Sequence, residues 1–181
     1  MSKELTRDEF ALLKQGIISI RGEITTDTLD YMESCMLNLA IVGNPDIEIW
    51  FASHGGDIEV GVCIFDMIRL YPGVVTGYVV SYAYSSAAII LQACDYRVAS
   101  PSSRLMIHNC SLTRTYTYDQ IKKGLIPKKS MSVIAEPQKR IISILKDVTG
   151  LTTQEIRKIL KRGEVVSAKE AKRIGLLDEI Q

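Results

Sequence analysis

Strand-like and helix-like segments alternate along most of this sequence. Residues 16–22 and 47–51 are short apolar runs that are typical of buried strands, and residues 74–80 form a third. Between them, residues 26–40 and 58–70 carry apolar side chains at the spacing of amphipathic helices. Strands that are separated by helices pair in parallel through helical crossovers, so the sequence predicts an α/β fold rather than a sandwich.

Length and charge limit the function classes. A chain of 181 residues with 46% hydrophobic content is long enough for one domain, which we expect to span residues 1–181. The net charge is +1 and the 22 basic residues are spread along the chain, so no nucleic-acid partner is expected. The charged N-terminus and the absence of a long apolar run predict a cytoplasmic protein without a membrane partner.

The cysteines and histidines do not form a metal-binding pattern. Cys35, Cys63, Cys94 and Cys110 are widely spaced and lie in apolar contexts, which predicts reduced thiols that pack in the interior. Only two histidines are present, and neither has a second ligand at helical spacing. We therefore expect no metal and no cofactor.

A serine and a histidine stand at two positions suited to acyl transfer. Ser85 follows the strand-like residues 74–80 and precedes the apolar helix-like residues 87–91, so it is expected where a strand turns into a helix. His108 closes the strand-like residues 104–108. Unpaired N–H groups at a helix start can stabilise the oxyanion that forms when a serine attacks a carbonyl. This pairing suggests a serine nucleophile and its base.

Two consecutive glycines occupy the turn between the second strand and the second helix. Gly55 and Gly56 allow close approach of a ligand, so the Gly56 N–H fits an oxyanion donor. Taken alone, the pair is more typical of a tight turn, Ser85 of a helix N-cap, and His108 of a core histidine. Only the joint placement of the three features favours an active site.

These three features together resemble the ClpP family, the proteolytic subunit of the Clp protease, within the crotonase-like superfamily. The family's Ser-Pro-Gly-Gly turn is similar to residues 53–56, its Gly-Gln-Ala-Ala-Ser-Met-Gly-Ala block to residues 81–88, and its Met-Ile-His block to residues 106–108. Residues 166–178 are similar to the family's final helix and turn. The resemblance implies a ClpP/crotonase-like fold built as a repeated ββα superhelix.

The resemblance also assigns roles and partners. It implies that Ser85 is the nucleophile and His108 the general base, and that the N–H groups of Gly56 and Ser86 form the oxyanion hole. The implied activity is that of a serine endopeptidase that cleaves unfolded proteins or peptides inside a homo-oligomer of heptameric rings, stacked as a tetradecamer. Residues 110–149 correspond to the family's handle region. The short segment before the first strand argues against docking to the family's AAA+ unfoldase.

Departures from the family pattern leave other functions open. The position of the family's triad Asp is occupied by Gly163, and a shift of the loop by one residue would bring Glu164 to His108 instead. Without an acid, the chain would be a catalytically impaired, ClpP-like assembly subunit. Tyr82 and Tyr84 are also unusual, and packing is the preferred interpretation over a narrowed substrate cleft. A crotonase-type acyl-CoA enzyme is the third alternative, on fold grounds alone.

Overall fold

The computed structural model describes residues 4–111, residue 122 and residues 130–181, and it has an α/β architecture. The helices are α1 (Arg7–Leu13), α2 (Thr26–Ile41), α3 (Ile58–Arg69), α4 (Ser86–Leu91), α5 (Ser130–Thr149), α6 (Thr153–Arg162) and α7 (Ala168–Arg173). The strands are β1 (Ile17–Ile24), β2 (Ile47–Gly56), β3 (Val75–Tyr84), β4 (Tyr96–Ala99), β5 (Arg104–Met106), β6 (Val165–Ser167) and β7 (Glu179–Ile180). The predicted alternation of strands and helices is confirmed.

The strands form one sheet in which most neighbours are parallel. The order is β1-β2-β3-β4-β7, and every pair along this path is parallel. β5 lies off this path, parallel to β3, and β6 pairs with β5 in the antiparallel direction. The helical crossovers that the sequence predicted are therefore present between β1, β2 and β3.

On the edge away from β2, strand β3 pairs with two strands, one along each half of its length. Residues 76–79 pair with β4, whereas residues 82–84 pair with β5. The sequence predicted a strand over residues 74–80 only, and this prediction was too short. Pairing with β5 extends the strand to Tyr84, and Ala83 is fully buried within the extension. The strand therefore ends directly before Ser85.

The core lies between the sheet and its helices. Ile18 of β1 pairs with Ile49 of β2, and both side chains are fully buried, as is Phe51. Ile64 of α3 and Leu91 of α4 belong to the same cluster. Each such side chain contributes about 1.5–3 kcal/mol through its burial. This packing fixes the positions of the strand ends at which the site lies.

In the sequence, residues 152–155 and 167–170 both fit the pattern of a capping box at a helix start, and the structure confirms one box in full and the other in part. Thr152 and Glu155 form the predicted capping box at the start of α6. At α7, Ser167 Oγ accepts the Glu170 N–H at 3.2 Å, but the Glu170 carboxylate binds Arg173. The predicted second box is therefore only half formed, because the guanidinium offers the carboxylate a charged donor.

Helix α5 differs from the prediction at its start. The sequence predicted a helix that begins at Pro137, where the missing N–H of proline costs nothing. The helix instead begins at Ser130 and continues through Pro137, which is buried. One backbone hydrogen bond is lost at that position, and burial of the ring offsets part of the cost. In the handle region, residues 112–118 alternate in the manner of a strand, and this prediction lies outside the described residues.

The thiols are free but not all of them pack in the interior. Cys35 and Cys94 are buried, Cys110 is half-buried, and Cys63 is exposed. The prediction of a packing role is therefore wrong for Cys63, whose position on α3 faces away from the sheet. In the part of the chain that the structure describes, no helix has the length and apolarity that crossing a membrane requires.

Candidate active site

Three neighbouring parallel strands end at the same edge of the sheet and bring the predicted site residues together. Gly56 is the last residue of β2, and Ser85 follows the last residue of β3. Tyr84 pairs with Met106 of β5, which places His108 two residues beyond the register of that pair. The Ser85 N–H donates to Met106 O at 2.8 Å. Carboxyl ends of parallel strands are where open α/β sheets place ligands.

The backbone of Ser85 has an unusual conformation for a non-glycine residue. Its φ is 53° and its ψ is −125°, at the sharp turn between β3 and α4. Such a conformation costs about 1–3 kcal/mol and is typical of a nucleophile elbow. Ser85 occupies the N-cap position of α4, but its side chain makes no helix-capping hydrogen bond, so capping does not explain the serine at this position.

His108 contacts Ser85 through one ring nitrogen and a backbone carbonyl through the other. Its Nε2 lies 2.9 Å from Ser85 Oγ, and its Nδ1 lies 2.7 Å from Asn109 O. A carbonyl can only accept, so Nδ1 carries the proton and donates it to Asn109 O. Nε2 then has a free lone pair and accepts the hydrogen bond of the Ser85 hydroxyl. This is the tautomer that a general base needs.

Helices α6 and α5 hold the backbone on both sides of the Asn109 carbonyl. The Asn109 N–H donates to Leu160 O at 3.0 Å, in the last turn of α6, and Leu160 is buried. The peptide group that contains the Asn109 carbonyl is held through its own N–H, that of Cys110, which donates to Gln138 Oε1 of α5 at 2.7 Å. Sequence reasoning missed this contact, since a backbone carbonyl carries no residue-type signal.

Gly163 lies beside the histidine but supplies no acid. It is the left-handed C-cap of α6, with φ 59°, and a Cβ at this position would lie 3.2 Å from His108 Cβ. Gly163 therefore lies next to His108, at the position that the resemblance assigns to the third residue. Glu164 is exposed, and His108 Nδ1 contacts Asn109 O instead. The expected shift of Glu164 toward the histidine is not present.

The glycine pair packs directly against the Ser85 turn. Gly55 has φ 86°, and a Cβ there would lie 2.6 Å from Tyr84 O and 2.7 Å from Ser85 Cβ. A Cβ at Gly56 would lie 2.3 Å from Ile24 O. Ser53 Oγ accepts the Gly55 N–H at 3.0 Å and donates to Gly22 O at 2.6 Å, which holds the turn. A side chain at either position would therefore collide with neighbouring atoms, so both positions need glycine.

Helix α3 also approaches the Ser85 turn closely. A Cβ at Gly61 would lie 2.9 Å from Ser86 Cβ, so glycine allows α3 and α4 to pack together. Sequence reasoning missed Gly61, because an isolated glycine within an amphipathic helix gives no local indication of its neighbour. Close packing here sets the start of α4 against α3.

The backbone N–H and the side-chain hydroxyl of Ser86 have different surroundings. Its N–H, at the start of α4, donates to no other group among the described residues, which leaves it available to a ligand. Its Oγ is buried and has no hydrogen-bond partner in the part of the chain that the structure describes. The buried hydroxyl destabilises the fold, since an unsatisfied polar group costs about 1–3 kcal/mol.

A cavity of about 260 Å³ opens beside Ser85 and His108, and we call it the first cavity. Its lining includes Gly56 and Ser86 as well as the two reactive side chains. The buried side chains of its wall are mostly apolar: Ile89, Ile107, Pro137 and Ile141. Cys110 also lines the cavity, and burial raises the pKa of its thiol. The cavity suits an apolar side chain of a ligand that lies next to Ser85.

An aromatic cluster lies on the other side of Ser85. His54 packs against Tyr82 with ring centroids 4.2 Å apart, and against Tyr84 at 5.7 Å. The two tyrosine rings are 5.3 Å from each other. The tyrosines therefore pack, as predicted, and their partner is His54.

The other acidic residues near the helix ends have structural contacts. Asp57 caps α3 by accepting the N–H groups of Glu59 and Val60. Asp66 binds Arg140, and Asp95 accepts the Val75 N–H. None of the three has a described hydrogen bond to His108. Across residues 4–111, 122 and 130–181, no group of three metal-ligating side chains is close enough to hold an ion.

Comparisons with known proteins agree with this geometry. The family model described as Clp protease matches residues 3–181. "ATP-dependent Clp protease proteolytic subunit 1" of Chlamydia abortus is 31% identical over 141 residues, which are 76% of this chain and 71% of that protein. The protein of the same name from Chlamydia caviae is 30% identical over 146 residues, or 80% of this chain and 74% of that protein.

A solved structure extends the likeness to the fold. A ClpP1 mutant from Listeria monocytogenes matches with a TM-score of 0.80 and 26% identity, over 95% of this chain and 94% of that chain. The expected ClpP/crotonase-like fold is thereby confirmed. Because the family model spans nearly the whole chain and two curated relatives are at least 30% identical, this chain belongs to the Clp protease family.

Proposed function

We propose that this chain is a serine endopeptidase that cleaves unfolded proteins or peptides through an acyl-enzyme. Ser85 is the nucleophile, His108 the general base, and the N–H groups of Gly56 and Ser86 form the oxyanion hole. The observation that carries the proposal is the 2.9 Å contact between His108 Nε2 and Ser85 Oγ at a strained turn. The family membership of the chain supports a Clp protease-like function.

The chemistry follows from the orientation of the histidine. Ser85 Oγ attacks the substrate carbonyl carbon while His108 Nε2 takes the hydroxyl proton. The tetrahedral oxyanion accepts hydrogen bonds from the two backbone N–H groups. The C–N bond then breaks, and Nε2 gives its proton to the leaving amine. Water attacks the resulting ester by the same route in reverse and releases the acid.

The Asn109 carbonyl takes the place of the triad acid in this proposal. It accepts the Nδ1–H of His108, which keeps the ring in the correct tautomer. A neutral carbonyl stabilises the imidazolium less than a carboxylate does, because hydrogen bonds to ionised groups are about twice as strong. We therefore expect a working but slower enzyme.

We propose that the protein assembles as a homo-oligomer of heptameric rings, stacked as a tetradecamer, with its active sites enclosed. The names of the Chlamydia relatives include "ATP-dependent" and "proteolytic subunit", which supports a peptide substrate and favours an ATPase partner over the expectation from the sequence that no unfoldase docks. We also propose a single domain, since one core cluster contains residues from Leu13 to Leu177, and a cytoplasmic location, which the family membership supports. Native mass spectrometry tests the assembly; a monomer at micromolar concentration would contradict it.

A non-catalytic assembly subunit is the second candidate. It is favoured by Gly163, which leaves His108 without a carboxylate at the position that the resemblance assigns to the acid. In that case the chain would need an active partner subunit, and Ser85 would be unreactive.

Covalent labelling separates the two candidates. A fluorophosphonate reacts with an activated serine, and intact-protein mass spectrometry counts the adducts. We expect one adduct on the parent protein, mapped to Ser85 and absent from Ser85→Ala. Ser81→Ala is the matched control, because Ser81 is an exposed serine of β3. A folded parent protein without an adduct would overturn the peptidase proposal and support the assembly subunit.

A further inference from the structure

A second cavity meets the first one at the nucleophile. It has a volume of about 420 Å³, and we call it the second cavity. Both cavities are lined by Gly56, Ser85, His108 and Ser111. A peptide whose carbonyl carbon lies at Ser85 Oγ therefore has neighbouring residues next to both cavities. The first cavity, with its apolar wall, accepts the side chain of one of these peptide residues. The side chains that line the second cavity determine which residue is preferred there.

The side chains that give the second cavity its chemistry are Glu23 and His54. Three further lining residues, Gly22, Gly55 and Gly56, contribute only backbone. Glu23 is exposed, and its carboxylate makes no hydrogen bond or ion pair with another residue in the described ranges 4–111, 122 and 130–181. The carboxylate is thus free to bind a ligand.

His54 is held at the cavity wall by the two tyrosines. Its ring lies 4.2 Å from the Tyr82 ring and 5.7 Å from the Tyr84 ring, centroid to centroid. Tyr82 and Tyr84 are two residues apart on one strand and therefore share one face of the sheet. The tyrosines position the imidazole as a flat surface beside the cavity, on which a planar or cationic group can stack.

The charged side chains among the described residues that line the two cavities are all acidic. Glu23 lines the second cavity, and Asp57 and Glu59 line the first. No lysine or arginine is present among the described residues that line either cavity. A negative potential of this kind attracts a cation and disfavours an acidic side chain.

We propose that the second cavity binds a basic side chain, lysine or arginine, of the substrate peptide at a residue that flanks the bond to be cut. The cation pairs with the Glu23 carboxylate and stacks on the His54 ring. This proposal rests on the proposed peptidase function and adds a preference for basic residues to it.

Peptide binding to the Ser85→Ala protein tests the cavity without turnover. Fluorescent hexapeptides carry a central leucine for the first cavity and arginine beside it, on one side or the other. The matched peptides carry citrulline, which has nearly the same shape as arginine and no charge. In one of the two pairs, we expect the arginine peptide to bind about threefold tighter than its citrulline match at low salt. A difference of this size is typical of an exposed ion pair.

Further variants locate the effect. Glu23→Gln in the Ser85→Ala background is expected to reduce the arginine-to-citrulline ratio to about one, and His54→Leu to lower it partly. Glu33→Gln removes an equal charge from the exposed face of α2 and is expected to leave the ratio unchanged. Equal binding of arginine and citrulline peptides in both pairs, or a ratio that Glu23→Gln does not change, would overturn the proposal. Labelling of Ser85 separately decides the peptidase function.

Discussion

At the scale of single residues, the site depends on where one proton resides. His108 is useful as a base only while Nδ1 keeps its hydrogen, and the Asn109 carbonyl ensures this at 2.7 Å. A backbone acceptor orients the ring as a carboxylate does, but it adds no negative charge to balance the imidazolium. The contact between His108 and Ser85 therefore forms without a carboxylate at Nδ1. The stabilisation of a protonated His108 depends on the neutral Asn109 carbonyl.

An acid at position 163 is expected to increase the reactivity of Ser85. Gly163→Asp places a carboxylate beside His108, where it can replace Asn109 O as the acceptor of the Nδ1–H. We expect fluorophosphonate labelling to be about tenfold faster, a fraction of the roughly 10⁴-fold effect of the acid in serine proteases. The left-handed backbone at φ 59° tolerates aspartate and asparagine better than other residues.

Gly163→Asn is the matched control for that experiment. Asparagine has the same shape and a similar tolerance of the left-handed backbone, but it brings no charge. A Cβ would lie 3.2 Å from His108 Cβ, so the ring must move by a few tenths of an ångström in both variants. Equal labelling rates of the two variants would show that added charge does not help the histidine.

Ser86 gives a prediction of the opposite kind, in which a side chain is dispensable. Its Oγ is buried without a partner, whereas the proposed role belongs to its N–H. Ser86→Ala is therefore expected to keep the labelling rate within about twofold and to raise the free energy of unfolding by about 1 kcal/mol. Urea unfolding measures the second effect, and a loss of stability would show that the hydroxyl has a partner.

At the scale of elements, the site forms where three strands end and two helices begin. β2 and β3 lead into α3 and α4, and β5 leads into the loop of His108. Contacts that only glycine permits bring these connections together, at Gly55 against Ser85 and at Gly61 against Ser86. The elements can therefore approach one another closely enough for the catalytic groups to meet.

Gly55→Ala is expected to distort the nucleophile turn. The new methyl group would lie 2.6 Å from Tyr84 O and must displace the turn or its own strand. We expect labelling of Ser85 to fall at least tenfold and the free energy of unfolding to fall by about 2–3 kcal/mol, from overpacking and backbone strain together.

Gly43→Ala isolates the effect of contact from that of backbone strain. Gly43 has φ 90°, similar to the 86° of Gly55, but a Cβ there meets nothing within 4 Å. We expect this variant to lose about 1–2 kcal/mol through its backbone alone and to be labelled at the parent rate. If both variants label alike, contact with the Ser85 turn is not what makes Gly55 necessary.

At the scale of the whole molecule, an ion pair connects the C-terminal segment to the sheet. Arg97 of β4 is mostly buried and binds both carboxylate oxygens of Asp178, and it also donates to Gln92 Oε1 and Gly175 O. Asp178 directly precedes β7, which pairs with β4. Because Arg97 loses most of its contact with water, its partners are needed to keep it in place.

The Arg97–Asp178 pair makes stability depend on pH at the acid end. Hydrogen bonds from the Arg97 side chain hold the pKa of the Asp178 carboxyl below its ordinary value of 3.8. The folded state thus has the lower pKa, so the pair contributes fully above pH 3.8 and is lost as the pH falls through the folded value. Urea unfolding between pH 7 and pH 3 measures this contribution.

Asp178→Asn is expected to lower the free energy of unfolding at pH 7 by about 2 kcal/mol, the range for hydrogen bonds to charged groups. The variant should also lose less stability than the parent below about pH 4, since it has no carboxylate to protonate. Asp147→Asn removes an exposed carboxylate of α5 and serves as the control. Parallel pH curves for the parent protein and Asp178→Asn would contradict the assignment.

Much of the fold and part of the site follow from local sequence patterns. Apolar periodicity predicts the first three strands and α2 to α4, and turn residues predict the ends of α5, α6 and α7. The serine at the turn between β3 and α4 is also predicted, because strand-like and helix-like residues flank it directly. Two boundaries were not predicted. Strand β3 extends to Tyr84 because β5 lies beside it, and helix α5 begins before Pro137 and passes through it.

The sequence by itself therefore determined the parallel α/β class, the position of Ser85 and the identity of His108 as its partner, since these depend on periodicity and on residue type. Only the tertiary structure decided what orients the histidine. Asn109 O, Gly163 and Glu164 are all near His108 in the chain or in space. The contacts of the backbone around Asn109 with Leu160 O of α6 and with Gln138 of α5 determine which of them reaches Nδ1. Contacts between backbone groups distant in sequence leave no trace in residue type, because every residue has a carbonyl.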